Sequence, residues 1–353
     1  MSVIIPVHNG EQTLEECLRA VFQSDYPRFE VIVVDDRSTD RSTAIAGEFP
    51  CHLVRSERRG GAAEARNVGA RKSQGEVLFF TDCDVFVQHD TIGKLITQLR
   101  EQPASSAVFG SYTAETRSSN FFSRYKNLVH HFTHQTACED ATTFWAGCGA
   151  IEDGAFFGVG GFDPADTDGA DVEDIALGYR LVRAGHKIRV ARDAQVIHAK
   201  HYTFVGLLRS DVMHRAVPWT KLMIQQRIWR NDLNTRWENL LSTGTAFGLL
   251  MFLILSVASP PYLAALPLLL ALFAYLNRQL FGLFRKRNGS IFLLEGMAMT
   301  LLYYVYCVIG MVLGVLFMLI ERRPGVRGLP SLQRESLGVG REAGAVASSQ
   351  GEK

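Results

Sequence analysis

Two aspartates one residue apart, Asp82 and Asp84, sit inside the run Phe79-Phe80-Thr81-Asp82-Cys83-Asp84-Val85-Phe86-Val87. In a strand, residues i and i+2 point to the same face. The spacing therefore predicts two carboxylates side by side where a buried strand ends. Like charges held so close are costly unless a cation neutralises them. A divalent cation carrying a diphosphate does this, because hard oxygen ligands suit Mg²⁺ or Mn²⁺. Two more acidic pairs stand elsewhere, Asp35-Asp36 and Glu173-Asp174. An ionised aspartate only accepts hydrogen bonds, so Asp35 and Asp36 suit an imide N–H or sugar hydroxyls. They also suit the N-cap of the helix that follows.

The elements that must position these acids alternate in kind. Val3-Ile4-Ile5-Pro6-Val7 reads as an apolar strand ending in the turn His8-Asn9-Gly10. Leu14, Cys17, Leu18, Val21 and Phe22 then mark one face of a helix. Glu30-Val31-Ile32-Val33-Val34 is apolar in the manner of a strand buried on both faces. His52-Leu53-Val54 is a weak third strand, and a helix from about Ala62 to Ser73 leads to a strand at Val77–Phe80. The alternation predicts a mainly parallel sheet with helices on both faces, which binds ligands at the carboxyl ends of its strands. Gly60-Gly61 opens a helix whose N-terminus can face an anion. Gly158-Val159-Gly160-Gly161 lacks the spacing of a dinucleotide fingerprint.

Farther along, Ala107–Tyr112 reads as a strand and Asn120–Glu139 as a helix bearing His130, His131 and His134. His131 and His134 stand at a metal-pair spacing without an obvious third ligand, and a polar helix face is the expectation. Phe144–Ile151 and Ala155-Phe156-Phe157 read as strand and turn. Asp174 falls near the start of a helix whose face carries Ile175, Gly178, Leu181 and Val182. Gly185–Val190 and Ala194–His198 read as successive strands.

Composition narrows the classes. The chain has 353 residues, 47% hydrophobic, with formal net charge +1, so there is no electrostatic case for nucleic acid. Six cysteines without a C-x-x-C pair fit a reducing compartment. A strand begins directly after Met1-Ser2, which predicts no cleaved leader and a cytoplasmic front half.

The order of five pieces resembles the family-two glycosyltransferases, with the GT-A fold, from about Ser2 to His201. The pieces are Val3–Asn9, Val33–Asp40, Ala65-Arg66-Asn67-Val68-Gly69, the Asp82–Asp84 pair, and Glu173-Asp174 after Gly160-Gly161-Phe162-Asp163. The resemblance implies that Pro6, Asp35, Asp36, Arg66 and Asp82 contact a nucleotide-diphospho-sugar. It implies that Asp84 ligates Mg²⁺ or Mn²⁺, with His198 completing the metal shell or touching the diphosphate. Asp174 is then the base that takes the proton from the acceptor hydroxyl, with Glu173 in support. For Arg66 the other reading is an ion pair with a strand-end aspartate. The region Phe144–Ile151 is implied to shape the acceptor and donor-sugar pocket.

The last third reads as membrane. His201 to Trp237 mixes aromatic and basic residues in the pattern of helices on an anionic surface. Thr243–Ser259 is uncharged and apolar, Pro260-Pro261 interrupts it, and Tyr262–Tyr275 continues. A further span is expected within Ile291–Ile320, most of it from Thr300. Arg278, Arg285, Lys286 and Arg287 argue for a cytoplasmic loop between them. The expected organisation is a GT-A catalytic domain over 1–203, basic interfacial helices over 204–239, about three transmembrane helices over 240–322, and a disordered tail over 323–353. The expected activity is inverting transfer of a sugar from a nucleotide-diphospho-sugar to a lipid-linked or saccharide acceptor. Its place is the cytoplasmic face of the inner or plasma membrane. A polysaccharide synthase is the alternative, but Gln225-Gln226-Arg227-Ile228-Trp229 lacks the Q-x-x-R-W spacing of processive members. A catalytically inactive nucleotide-binding scaffold is the reading from another class.

Overall fold

The computed structural model describes residues 1–101, 105–163, 172–226 and 237–320. The first half alternates as expected: β1 (Ser2–Val7), α1 (Leu14–Phe22), β2 (Glu30–Asp35), α2 (Ser42–Gly47), β3 (His52–Arg55), α3 (Gly61–Lys72) and β4 (Val77–Thr81). Next come β5 (Val85–Val87), α4 (Thr91–Glu101), β6 (Ser105–Tyr112), α5 (Phe121–Gln135), β7 (Asp140–Ala141) and β8 (Cys148–Glu152). The sheet-bearing part of the chain ends with α6 (Asp153–Gly158), α7 (Glu173–Arg183) and β9 (Lys187–His198).

These strands form one nine-stranded sheet in the order β3-β2-β1-β4-β8-β6-β9-β5, with β7 beside β9. The run β3-β2-β1-β4 is parallel. β8 is antiparallel to both its neighbours, and β6 and β9 return to parallel pairing. The strand–helix alternation predicts the parallel run, and the resemblance to the GT-A fold implies the mixed sheet. Its pleat sorts side chains into two cores. Val3, Ile5 and Val7 join Leu14, Leu18 and Val21 of α1 on one face. Ile4 lies on the other with Phe80, Phe109, Phe156 and Phe162.

Two local expectations change. Ala155-Phe156-Phe157 is helical, inside α6, because Ala155 and Phe156 bury one side of a short helix against the aromatic cluster. The two segments expected as successive strands are one twelve-residue strand, β9, whose register against β6 shifts between Phe109 and Ser111. The irregularity lets one strand carry a break that looks in sequence like a loop.

After β9 the chain is helical: α8 (Phe204–Arg209), a π-helical turn (Ser210–Ala216) and α9 (Val217–Gln226). Next come α10 (Trp237–Ala258), a 3₁₀ turn (Pro260–Ala264), α11 (Ala265–Leu276) and α12 (Arg278–Ile320). Arg227-Ile228-Trp229 and the tail from 321 fall outside the described residues. Two helices, Trp237–Ala258 and Arg278–Ile320, are long and apolar enough to cross a membrane, and Pro260–Leu276 is a shorter apolar segment. The basic stretch Arg278–Arg287, expected as a loop, is helical. α12 turns at Gly289, whose φ of 82° lies in the left-handed region. The segment is fixed by Phe284, fully buried against Tyr125 of α5 at 5.7 Å between ring centroids. α5 and the apolar helices thus share a core of Tyr125, Leu128, Phe273, Phe284, Phe292 and Tyr304.

Candidate active site

Strand ends and helix starts converge on a cavity of about 460 Å³. Pro6, Asp36, Arg66, Asp82, Asp84, Glu173, Asp174 and His198 all line it. Asp35, expected beside them, does not. Its Oδ1 accepts from the Ser38 backbone N–H at 3.0 Å, and its Oδ2 faces Arg55 Nε at 3.3 Å. It is a fully buried loop anchor. The reason is the strand's alternation: at the end of β2, Asp35 and Asp36 point opposite ways.

Asp36 answers the question of what the Gly60-Gly61 turn faces. The Gly60 and Gly61 N–H groups each donate to its carboxylate at 2.8 Å. The anion at this helix start is the protein's own, supplied across the sheet from β2. His8 Nδ1 lies 2.9 Å from the Asp36 carbonyl oxygen. The flanking turns are tied together, since Asn9 Oδ1 accepts from Thr39 N–H at 2.8 Å. Both turns contain a left-handed residue, Asn9 at φ 53° and Arg37 at φ 67°. Such conformations persist only where the surroundings hold them.

Asp82 and Asp84 do not form the paired strand end their spacing predicts. β4 stops at Thr81, and both lie in the turn before β5. Each carboxylate has its own cationic or imidazole partner. Asp82 Oδ1 accepts from Arg66 Nη2 at 2.6 Å, and Asp84 Oδ2 stands 3.4 Å from His198 Nε2. β9 lies antiparallel to β5 with Val85 opposite His198, which brings the histidine to Asp84. Burial works against the Asp84 charge, but His198 and then Lys200 hold its carboxyl below the ordinary value.

Arg66 is the centre of the arrangement. Buried on α3, it donates from Nη1 to Glu173 Oε1 and from Nη2 to Asp82 Oδ1, both at 2.6 Å. Of the two readings, nucleotide-sugar contact or an ion pair with an aspartate, the ion pair is present, and the residue also lines the cavity. Its neighbour Asn67 clamps the turn after α6 with two bonds to the Phe162 backbone, at 2.6 and 3.0 Å. α3 thereby ties the Asp82 turn to the start of α7.

Asp174 opens α7 beside Glu173. Its Oδ1 accepts from Ile175 N–H at 2.8 Å, and Ala146 N–H lies 3.4 Å from Oδ2. Burial, and next the charge of Glu173, push its carboxyl up to about 7, against the opposing pull of Arg66. A carboxylate titrating near neutrality is poised to take a proton. The position of α7 is set by Gly178, where an added Cβ would lie 2.4 Å from the Phe144 nitrogen and 2.5 Å from Thr143 Cα. Backbone cannot yield as a side chain can. Gly178→Ala is therefore expected to displace α7, lower Tm, and cut kcat by about 10²-fold, the scale of a 1 Å misplacement. Thermal unfolding and initial rates of the same preparation check this.

Several lining residues escaped the sequence reading. Tyr112 stacks on His130 and His134 at 5.4 and 5.7 Å, and meets Trp145 at 4.5 Å and His198 at 5.0 Å. His130 and His134 are one turn apart on α5 and face the cavity, so the histidine face is not the polar surface expected. His131, the other member of the expected pair, instead places Nδ1 2.7 Å from the Tyr112 carbonyl. Burial drives His134 down to about 3, with Arg215 adding to it, and lowers His130 as well. Arg215 and Trp219, read as interfacial, also line the cavity, and Arg215 Nη1 lies 3.0 Å from His130 Nε2. Their four-residue spacing marks one helix face, a signal hidden by the basic and aromatic residues around it.

Among the described residues no group of three or more His, Cys, Asp or Glu side chains is arranged to hold a metal alone. Asp84 and His198 nevertheless supply one oxygen and one nitrogen in the same cavity. That set fits a Mg²⁺- or Mn²⁺-type ion that takes its remaining ligands from a diphosphate and water.

Residues 2–156 match the family described as glycosyl transferase family 2. Among curated relatives, the glycosyltransferase GlyG of Streptococcus pneumoniae is 32% identical over 127 residues, 35% of this chain and 42% of that protein. The poly(ribitol-phosphate) beta-N-acetylglucosaminyltransferase TarS of Staphylococcus aureus is 35% identical over 98 residues, 26% of this chain and 17% of its own length. The chain thus matches less than half the length of either relative. In fold it is similar to the mannosyltransferase PcManGT from Pyrobaculum calidifontis, solved with GDP-Man and Mn²⁺. The TM-score is 0.56 at 18% identity, covering 91% of this chain and 87% of that one. Residues 2–156 thus resemble glycosyl transferase family 2 in sequence, and the fold is of the kind seen in PcManGT.

Proposed function

We propose that this protein is an inverting, divalent-metal-dependent glycosyltransferase that moves a sugar from a nucleotide-diphospho-sugar to a lipid-linked acceptor at the cytoplasmic membrane face. The observation that carries this reading is the convergence of Asp36, Asp82, Asp84, His198 and Asp174 on one cavity. The family match over 2–156 supports the donor class. The apolar helix α12, packed against the cavity-lining α5, and α10, packed on α12, support a membrane-held acceptor.

In this reading Pro6, Asp36, Arg66 and Asp82 border the nucleotide, with Asp36 also fixing the start of α3. Asp84 and His198 would hold Mg²⁺ or Mn²⁺, which when bound neutralises the diphosphate and its developing negative charge. The acceptor hydroxyl oxygen attacks C1 of the donor sugar as the bond from C1 to the diphosphate oxygen breaks. Asp174 takes the hydroxyl proton, and the nucleoside diphosphate leaves from the opposite face, so the anomeric configuration inverts. Glu173 and Arg66 hold the base: Glu173 raises its proton affinity and Arg66 limits the rise.

The catalytic domain is 1–203, followed by the interfacial segment 204–239 and the membrane segment 240–322. Phe204, Val205, Met213 and Ile224 are exposed apolar residues of α8, the π turn and α9, as an interfacial segment requires. The metal role has its own test. Chelation by EDTA is expected to abolish transfer and Mn²⁺ or Mg²⁺ to restore it. Asp84→Asn should raise the metal concentration for half-maximal rate at least about tenfold. Full activity in EDTA would exclude the metal assignment.

A further inference from the structure

A second cavity, of about 280 Å³, lies behind the first. The two share His130, Thr133, Arg215 and Trp219, so they meet at one wall. From that wall the second cavity runs between α5, α9, α10 and α12, lined by apolar groups such as Val129, Met223, Leu280, Tyr303 and Met311. One end opens on the acidic site, and the other lies among the helices able to cross a membrane.

The charges along it are unequal in availability. Lys126 is consumed: its Nζ bonds Asp211 Oδ1 at 2.5 Å, and Tyr306 donates to Asp211 Oδ2 at 2.7 Å. Arg215, at the junction, contacts the imidazole of His130, and among the described residues no carboxylate pairs directly with it. His130 is kept neutral by burial and next by Lys126 and Arg215, so it does not use up an anion itself. A planar guanidinium with several free donors is matched to phosphate oxygens. Arg215 sits in a π-helical turn, an irregularity often found at functional sites.

We propose that the second cavity is the acceptor subsite: it takes the hydrocarbon chain of a lipid bearing a phosphate, with Arg215 on the phosphate and the head directed past Trp219 toward Asp174. This rests on the glycosyltransferase reading for the word acceptor, but not for the binding. The apolar part of the lining accepts the chain, and Arg215 at the junction accepts the anionic group. Among the described residues the other lining cation without a carboxylate, Arg278, is exposed and donates to the Tyr275 carbonyl at 3.0 Å. Continuity with the acidic cavity places the head near the base. Trp219 is held for this by its Nε1, which donates to Tyr179 OH of α7 at 3.0 Å.

The test reads binding without turnover, so it does not depend on the donor being known. Full-length protein in nanodiscs is photolabelled with a diazirine-bearing dodecyl phosphate, and separately with the matching dodecanol. Labelled positions are mapped by mass spectrometry. The phosphate probe is expected to label the second-cavity wall, including Met223 and Met311, at least about tenfold more than the alcohol. Arg215→Gln should erase that preference, and Met223→Trp, which fills the cavity, should remove the labelling itself. Equal labelling by both probes, or labelling confined to the outer faces of α10–α12, would overturn the proposal. Displacement of the phosphate probe by an equal concentration of inorganic phosphate would also overturn it, since the chain would then contribute nothing. Loss of sugar transfer with this labelling intact would count against the enzymatic reading instead.

Discussion

Asp174→Asn is expected to reduce kcat by about 10²- to 10⁴-fold, the range of a lost general base, while leaving nucleotide-sugar binding near the wild-type level. The amide keeps the shape of the side chain but cannot take a proton. The second signature is in pH. Wild-type kcat/KM should fall as pH drops through about 7, where Asp174 becomes protonated. The third is in stability. The folded carboxyl titrates at about 7, above the ordinary aspartate value of about 3.9, so the wild type is relatively most stable below about 4 and loses that stability as pH rises from there to 7. A neutral amide does not lose it. The variant should therefore gain Tm over the wild type as pH rises from about 4, reaching its full gain above 7. A group that costs stability in its working protonation state is the pattern of a functional residue. An equal Tm difference between variant and wild type at pH 5 and at pH 8 would contradict the burial argument.

Arg66→Met should be the most damaging change to the fold. Glu173 and Asp82 would both lose their buried partner, and breaking such a pair costs about 3–5 kcal/mol. At the size of the catalytic half, that is a fall in Tm of roughly 10 °C. Arg66→Lys keeps a charge but not the fork that reaches two carboxylates, so an intermediate loss is expected. The charge-removing substitution separates structural from catalytic consequences. Arg66 pulls the Asp174 carboxyl down, so in surviving Arg66→Met protein the acid limb of the rate profile should move to higher pH, and in Arg66→Lys, which keeps the charge, it should move less. A purely structural role would lower the rate without moving the limb.

Much of the sheet-bearing half was legible in the sequence. Short apolar runs followed by amphipathic helices predict the parallel strands, and acids at strand ends predict a ligand site, because α/β sheets place ligands there. Eight of the nine expected residues line one cavity, from Pro6 to His198. What was hidden lies in tertiary pairing. Nothing local tells Asp35 from Asp36, yet one anchors its own loop and the other caps α3 from across the sheet. Spacing suggested that Asp82 and Asp84 share a cation, but Arg66 and His198, from α3 and β9, divide them. The histidines of α5 were ambiguous because a helix face reads the same toward solvent or cavity. Tyr112, contributed by β6, decides it. Arg215 and Trp219 were masked by neighbours of the same type, and only the packing of α9 and the π turn beneath α7 separates them.

The central claim is transfer from a nucleotide-sugar with Asp174 as the base. Its most direct test incubates membranes containing the protein with Mn²⁺ or Mg²⁺ and a panel of radiolabelled nucleotide-sugars, beside membranes containing Asp174→Asn. The account predicts that label from one donor enters the organic-extractable lipid fraction with wild type and not with the variant. Transfer by the variant at near wild-type rate would contradict the assignment of the base. Label confined to a water-soluble polymer would contradict the lipid acceptor, and donor binding without transfer of any label would contradict the enzymatic reading altogether.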